Sequence, residues 1–74
     1  MDHRKYTVIY EPAKEGGFYA HIPALDVTTE GETLAEAKEM ARDAIKGYCE
    51  SLIKDGLKPP KDVKPLRKQI RIAI

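Results

Sequence analysis

Cys49 is the only cysteine in 74 residues, so no disulfide can close within the chain and nothing in it calls for an oxidising compartment. No apolar run approaches the roughly 18 residues that a membrane span requires. The opening stretch, Met1-Asp2-His3-Arg4-Lys5-Tyr6, is charged and passes straight into an alternating pattern, so no secretory signal is expected. A cytoplasmic location without membrane attachment follows as the expectation. Internal repeats, low-complexity tracts and linker-like segments are lacking too, and the length allows one domain at most, over 1–74.

Reactive chemistry is equally sparse. His21 is a possible general base, but no nucleophile is paired with it in the sequence, so a surface or interface place is expected. Cys49 falls beside the apolar stripe of a helix, which suits a small packing residue better than a reactive thiol. Glu11 and Asp26 fall near strand ends with nothing to mark a carboxylate cluster for a divalent metal. No catalytic residue, metal site or cofactor is expected, and the chain does not read as an enzyme.

What is present suits a small globular domain. Hydrophobic residues make up 42% and charged residues 34%, which argues against disorder. Net charge is +1, yet it is unevenly spread. Residues 1–40 hold eight acids against four bases (−4), and residues 41–74 four acids against nine bases (+5). The bases are densest between Lys58 and Arg71. Such asymmetry can steer a charged partner.

Lys5 to Glu11 alternates like a strand, with Tyr6, Val8 and Tyr10 on one face. Gly16-Gly17 supplies the conformational freedom of a hairpin turn. Phe18, Ala20 and Ile22 mark a second strand that Pro23 ends, and Asp26 to Glu30 reads as a short third. Thr33-Leu34-Ala35-Glu36 is a capping box opening a helix. Its apolar stripe runs through Leu34, Ala37, Ala41, Ala44, Ile45, Tyr48 and Leu52. Gly56 suits the left-handed residue of a Schellman ending, with Leu57 placed to meet Leu52. Gly47, inside the helix, costs about 1 kcal/mol against alanine, with close backbone packing or simple tolerance as the reason for it. Gln69 to Ile74 alternates again and predicts a fourth strand, with Ile70, Ile72 and Ile74 on one side. The reading is an α+β fold of order β-β-β-α-β, a small antiparallel sheet covered by one helix.

The ordered series Tyr6-x-Val8, Glu15-Gly16-Gly17-Phe18-Tyr19-Ala20, Ile22-Pro23-x-Leu25, Glu30-Gly31-Glu32-Thr33, Glu36-Ala37, Ala41, Ala44-Ile45 and Tyr48 resembles the N-terminal domain of HicB-type antitoxins. It covers about Tyr6 to Pro60. The resemblance implies a truncated ribonuclease-H-like fold and, as function, neutralisation of a small HicA-type toxin, an RNA-cleaving protein, in a type II toxin–antitoxin system. It also implies self-association into a homodimer or larger homo-oligomer. The loop 23–31 lacks the Pro-Gly turn common in the family. With the sequence ending at Ile74 there is no room for the family's DNA-binding domain, so direct DNA binding is not expected.

A toxin that grips RNA presents cations to phosphate, so acids on the inhibitor would complement it. Glu11, Glu15, Asp26, Glu30 and Glu32 are the candidate contacts. Ile70, Ile72 and Ile74 are the candidate oligomer interface, since an edge strand offers unpaired backbone to another chain; packing under the helix of the same subunit is the equal alternative, and the two are compatible. The competing function is a nucleic-acid-binding module using residues 58–71. That segment contains Pro59, Pro60 and Pro65 and no aromatic residue on which a base could stack.

Overall fold

The structure is a computed structural model that describes residues 3–74. Three strands, β1 (Ile9–Pro12), β2 (Phe18–Ile22) and β3 (Val27–Gly31), precede one helix, α1 (Leu34–Lys54). The strands form an antiparallel meander in the order β1-β2-β3, which leaves β1 and β3 as the edges. This is the small α+β fold, three antiparallel strands followed by a helix, that the sequence pattern predicts.

Register follows from the hairpin turns. Tyr10 faces Ala20, which faces Thr29, and Pro12, Phe18 and Gly31 align at one end of the sheet. Side-chain alternation then puts Val8, Tyr10, Phe18, Ala20, Ile22 and Val27 on the helix side. The first strand is shorter than its pattern, because continuing the register would set Thr7 against Pro23, where β2 has turned away and no amide N–H is offered. In the first hairpin the Gly16 N–H donates to the Ala13 carbonyl (3.1 Å) and the Ala13 N–H to the Gly17 carbonyl (3.0 Å), with Gly16 and Gly17 both at positive φ. In the second, Asp26 takes the left-handed conformation at φ 52°, a position that Asp tolerates better than most residues do.

The helix ends behave as their local sequence dictates. The Thr33 hydroxyl accepts from the Glu36 N–H at 3.1 Å. At the other end the Gly56 N–H donates to the Ile53 carbonyl (3.0 Å) and the Leu57 N–H to the Leu52 carbonyl (2.9 Å), with Gly56 at φ 76°. Those two bonds are the Schellman pair.

The helix lies mainly over β3 and β2. Ala20, Ile22, Leu25, Ala37 and Ala41 form the buried core, and among the described residues Ile22 is the only large, fully buried side chain. The apolar stripe is only partly covered: Ala44, Ile45 and Leu52 are half-buried, while Leu34 and Tyr48 are exposed.

Two expectations need correcting. Gly47 faces open space, and a Cβ there would meet nothing within 4 Å. The close approach belongs to Gly31, where a Cβ would come within 2.5 Å of the Ala37 backbone nitrogen. The predicted fourth strand is also absent: residues 57–74 carry no regular secondary structure, and 61–74 are exposed throughout. Alternation makes 69–74 fit to be a strand, but a strand exists only through a neighbour's hydrogen bonds, and this segment finds none in its own chain.

Candidate functional site

Strand parity separates the two faces of the sheet. Away from the helix, Glu11 on β1, Tyr19 on β2 and Glu30 on β3 lie side by side in register. Directly opposed side chains on one sheet face sit about 4.5–5.5 Å apart at Cβ. Tyr19, 45% exposed, therefore stands between two exposed carboxylates. The next row holds Ile9, His21 and Thr28, in which the His21 Nδ1 and Thr28 Oγ1 share a hydrogen bond of 2.9 Å. That bond gives His21 a fixed orientation on an open face.

Four of the five acids singled out from sequence gather at one end of the molecule. Glu15 lies in the turn between Pro12 and Phe18, and Glu32 follows Gly31 directly, at the end where those three residues align. Together with Glu11 and Glu30, the two that flank Tyr19, they form an acidic rim at that end. A shallow depression beside it is lined by Ala13, Phe18, Glu32, Glu36 and Met40, among others. Asp26 stands apart, exposed in the turn at the opposite end of the sheet. Alternation marks Tyr19 only as outward-facing; its acidic neighbours appear with the register.

A second feature ties the segment before β1 to the helix and to the segment that follows it. The Tyr6 hydroxyl donates to the Pro60 carbonyl at 2.5 Å, and the Cys49 thiol donates to the Tyr6 hydroxyl at 3.8 Å. One residue on, Asp62 accepts from the Thr7 N–H (2.9 Å) and the Thr7 hydroxyl (2.7 Å). Burial, followed by the Cys49 thiol, raises the Tyr6 phenol above its ordinary value. The Thr7 N–H, then its hydroxyl, hold the Asp62 carboxyl below the ordinary aspartate range. Cys49 is thus a packing and hydrogen-bonding residue here. No sequence signal exposes this clamp, which spans more than 40 residues of separation.

Between residues 4–10 and the helix runs an open groove of about 690 Å³, floored by Tyr6, Val8, Tyr10, Ala41, Ile45 and Cys49. Among the described residues no group of three or more His, Cys, Asp and Glu could hold a metal ion. No helix of the described residues is long and apolar enough to cross a membrane.

The fold and its surface define a small α+β domain whose organised features are an acidic rim on one side and an apolar groove on another. The chain is 41% identical over 59 residues to the UPF0150 protein Ta0767 of Thermoplasma acidophilum, which spans 78% of this chain and 86% of that protein. It is 40% identical over 65 residues to the UPF0150 protein ssr1765 of Synechocystis, covering 82% of each. The chain belongs to the UPF0150 family. It is also 39% identical over 57 residues to Antitoxin HicB 1 of Photorhabdus laumondii, a match that takes in 76% of this chain and 37% of that antitoxin. No family model matches the chain, and no solved structure matches it.

Proposed function

We propose that this chain is an antitoxin-like binding protein, the neutralising partner of a small HicA-type RNA-cleaving toxin in a type II toxin–antitoxin system. The likeness to Antitoxin HicB 1 carries the reading. Its alignment covers 57 residues of a 74-residue chain. The acidic rim suits it: Glu11, Glu15, Glu30 and Glu32 offer a concentrated negative charge to a surface built for phosphate, with Asp26 as a separate contact at the far end. Opposed charge speeds encounter and excludes wrong partners. Tyr19, exposed at the centre, has the aromatic character of an interface anchor. On this reading the domain, spanning 1–74, works in the cytoplasm by covering its partner, and it turns nothing over.

Co-expression with small basic proteins encoded beside it, followed by pull-down and growth rescue, tests the reading. The chain should retain one such protein and relieve its toxicity. Joint substitution of Glu11, Glu15, Glu30 and Glu32 by Lys should abolish both effects while the helix signal in circular dichroism persists. Asp26→Lys, tested alone, should weaken them less. Retention of no partner, or full rescue by the four-lysine variant, would count against it. Binding of RNA or DNA by the isolated chain, lost on neutralising Lys58, Lys61 and Lys64, would favour the nucleic-acid reading of 58–71 instead.

A further inference from the structure

The two edges of the sheet are guarded differently. An edge strand directs the N–H and C=O of alternate residues away from the sheet, and such edges are normally blunted with lysine, proline or a covering segment. At the β1 edge Pro12 offers no N–H, and the Thr7 N–H just before the strand is taken by Asp62. The β3 edge has none of these devices. From Asp26 to Glu32 the chain contains no lysine, arginine or proline. Among the described residues, the backbone of β3 bonds to β2 alone. Val27, Thr28 and Thr29 are β-branched, which suits a strand with a neighbour on each side.

The chemistry along that edge limits what can pair with it. On the outer face Thr28 and Glu30 are exposed, and the acids Asp26 and Glu32 lie just beyond the strand. On the helix face Val27, Thr29 and Gly31 are half-buried, and Met40 of α1, 46% exposed, lines the same depression as Gly31. An added strand therefore meets negative charge with one set of alternate side chains and apolar surface with the other. The β3 strand of a second copy does not fit. Symmetric antiparallel pairing centred on Thr28 sets Glu30 against Asp26, and pairing centred on Glu30 sets that acid against itself. Like charges directly opposed destabilise a sheet.

We infer that the β3 edge takes an extended basic segment of a partner as a further strand, with Lys or Arg at alternate positions beside Thr28 and Glu30. The residues between them are apolar and lie on the helix side, near Val27 and Met40. Backbone bonds supply the affinity in this kind of strand addition, and the two rows of side chains the selectivity. The identity of the partner rests on the antitoxin reading, since a protein that grips RNA is built with cations; the open edge does not depend on it. Pairing at β3 gives the acidic rim a direction and a register that charge alone does not supply.

The probe is a synthetic peptide of about six residues, alternating lysine and valine and blocked at both ends, titrated into the isotope-labelled 74-residue chain. Amides within Val27–Gly31 should shift in a saturable way, and alternate ones should exchange on the order of tenfold more slowly in the complex. The same peptide methylated on its backbone nitrogens keeps its charge but cannot donate, and should bind about tenfold more weakly or worse. Thr28→Lys, which places the missing guard at an exposed position, should weaken the unmethylated peptide in the same way, with the helix signal in circular dichroism retained. No shift at β3, equal binding of the methylated peptide, or protection at Ile9–Pro12 instead would overturn the inference. Peptide pairing at β3 with no toxin retained on co-expression would sink the antitoxin reading and leave the edge standing. A toxin complex in which the Val27–Gly31 amides stay unprotected would do the reverse.

Discussion

The two sides of the helix differ. Toward β3 the contact is closed, because the residues are small: Gly31 lies so near the helix that a Cβ would meet the Ala37 nitrogen at 2.5 Å, and Ala37 and Ala41 are fully buried. Toward β1 the residues are large, Tyr6, Val8, Tyr10 and Ile45, and they hold helix and sheet apart along an open groove. Small residues bring backbones together and finish a core; large ones that find no cover leave a surface waiting for a partner. One side supplies the stability of the domain, and the other leaves an open groove.

The comparison can be broken most strongly at the closed side. Ile22→Ala removes the one large, fully buried side chain among the described residues and should cost about 2–5 kcal/mol, enough to leave a domain this small largely unfolded by thermal or urea melts. Gly31→Ala forces backbone apart at the tightest contact and should cost about 1–3 kcal/mol, again read from the melting midpoint. If Gly31→Ala were neutral, the closed side would not be as tight as described. On the solvent side of the helix, Gly47→Ala adds a methyl to open space and should stabilise by up to about 1 kcal/mol. A loss of stability there would mean that the helix is covered at Gly47.

These two glycines show what the sequence discloses and what it withholds. Helix ends are legible because their causes lie within a few residues: the Thr33 cap and the Gly56 ending both stand where the local pattern puts them. Strand alternation is legible for the same reason. A close approach between distant backbones has no local signature, so a glycine inside a helix pattern such as Gly47 stands out while Gly31, where the approach occurs, does not. The fourth strand failed similarly. Alternation in 69–74 records a capacity to pair, and pairing depends on a neighbour that the isolated chain does not provide. The acidic rim was half legible: the acids are visible in the sequence, but the hairpin register gathers four of them at one end, two of them flanking Tyr19, and sends Asp26 to the other. The Tyr6–Pro60 and Thr7–Asp62 bonds left no trace in the pattern.

The smallest effect concerns that clamp, at the margin of the open side. Thr7 lowers the Asp62 carboxyl, so the folded form favours the charged state. Its stabilising contribution is therefore full above the unfolded value of about 3.9 and is lost as pH falls through the lower folded value. The Thr7 amide, followed by nuclear magnetic resonance, should keep its bonded shift through the ordinary carboxylate range and lose it only below. Asp62→Asn should weaken the bonded shift already at neutral pH. A transition at the ordinary aspartate value would show that the clamp does not form in solution.

The most direct test of the account is a calorimetric titration of the purified chain into a small HicA-type partner, repeated at rising salt. A binding surface made by the acidic rim predicts a saturable complex that weakens steadily with ionic strength and disappears when Glu11, Glu15, Glu30 and Glu32 are replaced by Lys. Affinity untouched by salt and by those four substitutions, or cleavage of RNA by the chain itself, would contradict it.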